Sequence, residues 1–291
     1  MAGYLMNLDN IESLRLYTEN GVYATKISTP KGYWGTHHEG TFADYVTMEA
    51  GDNVYFFINR KIYGIGELVN VAGDCKYMNY PTANIPKSFD YENYKQQLLW
   101  DEAPYSINQR WICLFKPSPF FFKSGIDMDD VLNSNPQKFR MLRAFWKVSF
   151  LKVGDEENQA LRDIILKTNE KSLVEKSAAD IFSSNFHERH QDIDRKVTEE
   201  YQFNIKDIIK ECASGKQLKH EMALEAGLLY QLTTKERNTT DVFGTWDYLS
   251  HQVVASPFKP IDYMDKMDIF GYRYIPNFEP TKSKILVMEL K

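Results

Sequence analysis

Short apolar runs separated by glycines and polar turns dominate the N-terminal part of the chain. Four such runs lie at residues 21–28, 44–48, 52–59 and 61–71. Apolar runs of this length, bounded by turn residues, predict β-strands. The step from Asn59 to Arg60 separates two of them and predicts a tight hairpin, because asparagine tolerates a positive φ.

Two further strands are predicted by aromatic-rich runs at residues 110–122 and 143–153. The acidic residues and the Asn-Pro pair between these runs predict a helix and a loop. Residues 169–233 contain no proline, and their apolar positions follow helical spacing. Long polar helices of this kind connect domains or pair with a partner chain. Strand-like runs return afterwards, which gives the order helix, strand, strand, strand.

These patterns predict an α+β protein with three parts. We assign residues 1–168 to a first unit, residues 169–214 to a helical connector and residues 215–291 to a second unit. A chain of 291 residues exceeds the usual size of one domain, which supports the division. Its composition of 43% hydrophobic and 26% charged residues excludes a disordered or collagen-like protein.

Charge and cysteine content narrow the function classes. The formal net charge of −5 argues against a uniformly basic nucleic-acid coat, although it leaves room for a local basic groove. The three cysteines, Cys75, Cys113 and Cys212, form no C-x-x-C pair, which speaks against a structural zinc and a disulfide framework. Neither a signal peptide nor a run of ~20 apolar residues is visible. We therefore expect a cytoplasmic protein with reduced cysteines and no membrane partner.

The last strand-like run carries a candidate catalytic pair. Side chains alternate along a strand, so Glu289 and Lys291 project to the same side. Asp268 lies in the preceding predicted strand and meets Glu289 if the intervening loop turns the chain back alongside it. Two carboxylates at one strand pair suit Mg²⁺ or Mn²⁺, and Lys291 beside the ion predicts phosphodiester hydrolysis. The alternative is a surface salt bridge between Glu289 and Lys291 without catalytic duty.

Asp268 followed by Glu289 and Lys291 resembles the PD-(D/E)xK nuclease superfamily over residues 215–291. The resemblance implies a restriction-endonuclease-like α/β core with Asp268 and Glu289 as metal ligands. It also implies a catalytic glutamate on the preceding helix, for which Glu225 is the match. The chain departs from the family where Met267 stands in place of the proline. Because the family fold continues with a helix and a strand, the resemblance implies a core truncated after Lys291.

The N-terminal unit resembles PUA-like domains of the EVE and YTH kind over about residues 20–168. The residues that carry the resemblance are the Gly51-Asp52 turn, the following VYFFI strand and the IYGIGE strand at residues 62–67. It implies a mixed β-barrel domain that holds a flipped, modified base in an aromatic pocket with a basic rim.

Four aromatic residues are the candidates for this pocket. Trp34 is the first choice, because it lies in a glycine-rich connection where a core tryptophan is unexpected; Tyr33, Phe57 and Trp146 follow. The alternative for each is an ordinary core position, which is where aromatic residues usually lie. Arg140 and Arg143 beside the last strand are candidates for phosphate contacts, with a surface helix that binds no ligand as the alternative.

Together, the two resemblances predict a modification-dependent DNA endonuclease of the bacterial restriction type. It would act as a homodimer, because one active site cuts one strand. A second possibility is a non-catalytic nucleic-acid-binding protein whose C-terminal unit supports dimerisation, and metal-dependent cleavage separates the two. A third is a protein that acts on RNA, as YTH-like domains do, and competition between modified DNA and modified RNA decides it.

Overall fold

A computed structural model describes most of the chain. The described residues are 1–26, 36–81, 83, 91–102, 106–139, 149–168, 185–206, 209, 213–214, 217–218, 221–254, 266–273 and 283–290. They form a mixed α+β structure, as the sequence predicts. The chain divides into two compact units, which are Met1–Ile27, Met48–Arg143 and Ser149–Phe203 on one side and Ser28–Thr47, Ala144–Val148 and Asn204–Lys291 on the other.

Strands and helices are interspersed along the described part of the chain. The described strands are β1 (Gly3–Asn7), β2 (Val22–Thr25), β3 (Asn53–Ile58), β4 (Lys61–Leu68), β5 (Lys76–Met78), β6 (Trp111–Asp127), β7 (Phe150–Val153), β8 (Ala213–Ser214), β9 (Gln217–Leu218), β10 (Tyr248–Val254), β11 (Lys266–Arg273) and β12 (Lys284–Met288). The described α-helices are α1 (Ile11–Asn20), α2 (Thr36–Val46), α3 (Tyr91–Tyr94), α4 (Met128–Ser134), α5 (Asp155–Thr168), α6 (Phe186–Lys196), α7 (Glu221–Thr233) and α8 (Arg237–Phe243).

Seven of the described strands form the sheet of the first unit. Its order is β2-β6-β4-β3-β1-β7, and β5 also pairs with β6. The β1–β3 pair is parallel and the other pairs are antiparallel. The predicted hairpin between β3 and β4 is confirmed: Asn59 and Arg60 have φ angles of 46° and 66°, which are typical of a tight two-residue turn.

Apolar side chains of this sheet pack into a continuous core. Val54, Phe56 and Ile58 alternate along one face of β3 and are buried, and the rings of Phe56 and Phe115 lie 5.2 Å apart. Cys75 and Cys113 are free, buried thiols, in agreement with the expected reduced state. Cys212 lies outside the described residues.

Helix α1 is fixed at both ends before the chain enters β2. The Asn10 side chain accepts a hydrogen bond from the Ser13 amide at 2.8 Å, and Gly21 ends the helix in the left-handed conformation. Helix α6 packs against α1, and His190 lies 2.9 Å from the Gly21 carbonyl oxygen. Residues 185–203, which the sequence analysis assigned to the connector, therefore contribute to the first unit. The predicted boundaries at 168 and 214 stay predictions.

The second unit is built on a three-stranded antiparallel sheet in the order β10-β11-β12. Helix α7 packs against β10 and β11, and α2 packs against α7 and β10. The predicted order of helix, strand, strand, strand is confirmed. The strand predicted at residues 44–48 is wrong, because α2 extends to Val46. A five-residue apolar run does not distinguish a buried helix from a strand, and here helix packing decides the outcome.

None of the helices in the described ranges combines the length and apolar character needed to cross a membrane.

Candidate functional site

Four residues at or beside the ends of four strands lie together at one end of the first-unit sheet. We call these residues the anchor cluster: Asn7, Thr25, Phe57 and Ser149. Asn7 pairs with Phe57 across β1 and β3, and the Asn7 amide donates to the Ser149 carbonyl oxygen at 3.0 Å. The Thr25 hydroxyl donates to the Ser149 hydroxyl at 3.3 Å. These bonds hold the ends of β1, β2, β3 and β7 at one place.

In the sequence, the anchor cluster borders both segments that carry the predicted base and phosphate contacts. Residues 27–35, with Tyr33 and Trp34, follow soon after Thr25, and residues 140–148, with Arg140, Arg143 and Trp146, directly precede Ser149. All five of these candidate residues lie outside the described residues. Phe57 is described, and its side chain is half-buried at the end of β3.

A row of four aromatic rings packs in the core beside the anchor cluster. The rings of Trp100, Tyr17, Tyr23 and Phe150 follow one another at centroid distances of 5.3, 5.0 and 5.2 Å. The Tyr23 hydroxyl donates to the Asn7 carbonyl oxygen at 3.1 Å. Burial raises the pKa of Tyr23 well above its usual value, so the hydroxyl keeps its proton for this bond. The row therefore fills the core beside this end of the sheet with packed rings.

A buried cation lies next to this end of the sheet. Trp111 pairs with Thr25, so Arg110 stands beside the point at which the chain leaves β2. Arg110 is only 7% exposed, and its Nε and Nη1 atoms have no hydrogen-bond partner in the part of the chain that the structure describes. Buried donors without hydrogen-bond partners are costly, and a bound water or ion is one explanation for them. Sequence reasoning missed Arg110, because an arginine at a strand start gives no local signal.

A cavity of about 350 Å³ lies at the other end of β3. Asn53 forms part of its lining, together with the cationic side chains of Lys116 and Arg162. Asn53 and Phe57 are four residues apart on β3, or about 13 Å. This cavity is therefore separate from the anchor cluster.

In the second unit, strand register places Asp268 directly across from Glu289. Ile269 pairs with Met288, so Asp268 and Glu289 form the next position along the two strands. Asp268 is half-buried, and its Oδ2 atom accepts a hydrogen bond from the Leu290 amide at 2.6 Å. Glu289 is exposed, and Lys291 lies outside the described residues. Within the described ranges, no three His, Cys, Asp or Glu side chains group as a metal site.

The structure does not bring Glu225 to this carboxylate pair. Glu225 is fully buried on α7, and its Oε1 lies 3.4 Å from His251 Nδ1. His251 pairs with Ile269 across β10 and β11 and shares its face of the sheet. Because successive side chains alternate, Asp268 projects from the opposite face. Glu225 and Asp268 therefore lie on different faces of the same sheet.

Glu225 belongs instead to a buried ionic cluster, which we define as Asp44, His251 and Glu225. His251 Nε2 lies 3.0 Å from Asp44 Oδ1, and Nδ1 faces Glu225. Burial lowers the pKa of His251, but the Asp44 and Glu225 carboxylates outweigh burial and raise the pKa to about 9. His251 is therefore an imidazolium ion between two carboxylates at neutral pH.

Asp44 and His251 were missed by sequence reasoning. They are 207 positions apart, so no local motif joins them. The available signal was a histidine at an inward-facing position of a predicted strand, because a buried imidazole requires polar partners.

Comparisons with known proteins give no family assignment. No protein-family model matches the chain, and no curated protein matches it. Among solved structures, a hypothetical protein from Leishmania major is 14% identical, with a TM-score of 0.36 over 60% of this chain and 97% of that one. A protein from Agrobacterium tumefaciens is 15% identical, with a TM-score of 0.32 over 56% of this chain and 92% of that one.

A third similar structure is human THYN1 in complex with DNA that contains 5-methylcytosine. It is 11% identical, with a TM-score of 0.33 over 57% of this chain and 98% of that one. TM-scores this low carry no argument about this chain, so its function has to be argued from its own residues.

Proposed function

We propose that residues 1–168 form a PUA-like domain and that the protein binds DNA carrying a modified base. The observation that carries this proposal is the anchor cluster. Its residue Phe57 is described and half-buried, and Thr25 and Ser149 stand close in sequence to the two segments that contain the other predicted base or phosphate contacts. Enzymes and readers that act on a single base take it out of the stack and hold it between aromatic rings.

The residues divide the binding task between them. Trp34, Tyr33, Phe57 and Trp146 supply aromatic surface on which a flipped base stacks. Arg140 and Arg143 supply cations for the flanking phosphates, which position the duplex without reading its sequence. The hydrogen-bonded strand ends and the row of buried rings beneath them supply the rigid frame that precise base contacts require.

The first test is replacement of Trp34 by alanine. We expect binding to a duplex with one modified base to weaken by about 1–3 kcal/mol, the value of one lost stack, with little change for unmodified DNA. Fluorescence anisotropy with duplexes containing 5-methylcytosine, 5-hydroxymethylcytosine or N6-methyladenine measures both affinities. Competition with the same modified bases in RNA separates DNA from RNA as the partner.

Trp246→Ala is the matched control, because Trp246 donates from Nε1 to the Phe243 carbonyl oxygen and has no predicted base contact. A uniform loss on modified and unmodified duplexes, or a lower melting temperature for Trp34→Ala, would make Trp34 a core residue and remove it from the site.

We also propose, as a second candidate function, that the second unit cleaves DNA. The register that sets Asp268 across from Glu289 favours it, because two carboxylates suffice for Mg²⁺ when waters and substrate phosphates complete its shell. A bound Mg²⁺ or Mn²⁺ would supply an activated water and neutralise phosphate charge. Asp268 and Glu289 would hold the ion, and Lys291 would orient the phosphate. Double-strand cleavage would then require a homodimer.

Replacement of Glu289 by alanine tests the nuclease proposal. If the second unit is a nuclease, any cleavage of modified DNA with Mn²⁺ depends on Glu289, and the variant loses it at an unchanged melting temperature, because Glu289 is exposed. Glu188→Ala, which removes an exposed carboxylate of the first unit, should cut like the wild type. If wild type and Glu289→Ala cut equally, or neither cuts, the alternative of a non-catalytic reader with an edge salt bridge holds.

A further inference from the structure

The cavity at the Asn53 end of β3 lies within the first unit, and we call it the α5 cavity. Helix α5 forms one wall with Arg162, Ile165 and Leu166, and neighbouring parts of β4 and β6 form another. Its volume of about 350 Å³ falls within the range of small-molecule sites, about 300–1,000 Å³. Leu166 is 41% exposed, so part of the apolar wall faces solvent. The α5 cavity therefore has the size and the lining of a small-molecule site.

A bulge in β6 lies beside the α5 cavity. In the pairing of β4 with β6, Gly66 lies across from Pro117, whereas Gly64 lies across from Phe121. Positions 64 to 66 of β4 thus span positions 117 to 121 of β6, and the register gives Ile65 no opposite residue on β6. The extra residues bend a strand, and bulges of this kind are over-represented next to active sites. Ile65 and Pro117 both line the cavity at this bend.

Hydrogen bonds fasten α5 to the sheet beside the cavity. Asn158 on α5 accepts a hydrogen bond from the Tyr55 hydroxyl at 2.6 Å and donates one to Asn53 Oδ1 at 3.1 Å. Asn53 in turn donates to the Gly66 carbonyl oxygen at 3.4 Å. The N-terminal ammonium group of the chain pairs with Asp155 at the start of α5 at 2.7 Å. Because these bonds hold α5 against β1, β3 and β4, the cavity is formed before any ligand enters it.

The charged groups that line the α5 cavity are not balanced. Lys116 on β6 and Arg162 on α5 are exposed cations, and neither forms an ion pair with a carboxylate in the described ranges. The lining also includes the carboxylate of Glu67, which lies across from Lys116 in the strand register without an ion pair between them. Two cations and one carboxylate leave an excess of one positive charge beside an apolar wall. A cleft with this excess attracts anions.

We propose that the α5 cavity binds a small organic anion with an apolar body, such as an aromatic or aliphatic carboxylate, sulfonate or phosphate monoester. Arg162 and Lys116 hold the charged group, for which a guanidinium offers paired donors. Ile65, Ile165 and Leu166 contact the apolar body, whose removal from water favours binding. The inference goes beyond the proposed base-reading function, because the cavity lies at the opposite end of β3 from the anchor cluster and requires no nucleic acid.

Two fluorescent probes that differ in one charged group test the inference in the full-length protein. Anilinonaphthalene sulfonate carries an acid group on apolar rings, and phenylnaphthylamine has the same rings without it. We expect one saturable site for the anionic probe, with affinity reduced about 5- to 10-fold in Arg162→Gln and in Lys116→Gln. The affinity of the neutral probe should not change in these two variants, because they leave the apolar wall intact.

Three further variants separate the roles of charge and apolar surface. Glu67→Gln should bind the anionic probe more tightly than the wild type, because it removes the opposing carboxylate. Leu166→Ser should weaken the binding of both probes at an unchanged melting temperature, because Leu166 is partly exposed. Lys167→Gln is the matched control: it removes an exposed cation of α5 outside the cavity lining and should bind both probes like the wild type.

Competition experiments identify the group that the cavity recognises. We expect octanoate to displace the anionic probe from the wild type and octanol, which has the same chain without the acid, to displace it far less. Displacement by octanoate should weaken as salt concentration rises, because salt screens exposed cations. Absence of saturable binding, equal affinity of wild type and Arg162→Gln for the anionic probe, or equal displacement by octanol would overturn the inference. None of these measurements involves DNA, so they leave the base-reading proposal to its own tests.

Discussion

Replacement of His251 by alanine is expected to lower the free energy of unfolding by about 3–5 kcal/mol, the cost of breaking a buried ionic group. The change removes the cation and leaves the carboxylates of Asp44 and Glu225 buried near each other. Two like charges in a poorly solvated site repel each other and have lost their hydration. Urea unfolding at pH 7, followed by circular dichroism, measures the loss.

The pH dependence of stability has a definite sign. His251 has a pKa of about 9 in the folded protein, above its usual value of 6.5. The cluster's contribution is therefore complete below about pH 6.5 and is lost as pH rises through about 9. We expect the melting temperature of the wild type to decrease as the pH rises from about 6.5 to about 9. The melting temperature of His251→Ala should not show this decrease.

A second substitution in the same cluster provides the control. In the His251→Ala background, Glu225→Gln removes one of the two buried charges and should recover part of the lost stability. A loss below about 1 kcal/mol for His251→Ala, or no recovery on adding Glu225→Gln, would contradict a buried charged cluster.

The second large effect is expected for Gly21→Ala. Gly21 has a φ of 61°, and a β-carbon there would lie 2.6 Å from the Phe115 carbonyl oxygen. It would also lie 2.8 Å from His190 Nε2 and 2.9 Å from Phe186 Cβ, both on α6. Left-handed strain of about 1–2 kcal/mol and overpacking of about 1–3 kcal/mol together predict a loss of roughly 2–5 kcal/mol. Thermal and urea unfolding measure it.

Gly51→Ala separates the contribution of backbone strain from that of overpacking. Gly51 also has a positive φ, of 94°, but apart from its chain neighbours no atom of the described residues lies within 4 Å of the position of its β-carbon. We expect it to show backbone strain alone, so its loss should be the smaller of the two. Equal losses at the two positions would mean that α6 does not pack closely on Gly21.

Local patterns in the sequence predict much of the fold. The runs that become β3 and β4 are short and apolar, and Asn59 fits the positive φ of the turn between them. The run at residues 44–48 has the same appearance but lies in α2, because its packing against α7 and β10 decides its structure. Such a choice depends on residues far along the chain, and a local window does not contain them.

The same difference between local patterns and long-range packing applies to the candidate sites. Alternation along a strand predicts that Glu289 has a cross-strand neighbour, and the register places Asp268 there. The resemblance to the nuclease family singles out Glu225, but not His251 as its neighbour, because that contact depends on how α7 packs on β10. Which face of a helix packs on which face of a strand depends on tertiary packing, and the periodicity of the sequence does not reveal it.

Because the second unit is assembled from distant parts of the chain, α2 is synthesised well before the residues against which it packs. Asp44 leaves the ribosome 207 residues before its partner His251. At 5–20 residues per second, that interval is about 10–40 s. During this time α2 lacks α7 and β10, against which it packs in the described part of the chain, and the face that they cover is open to chaperones and to neighbouring nascent chains. Helix α2, although it lies near the N-terminus, is therefore among the last helices to reach its native packing.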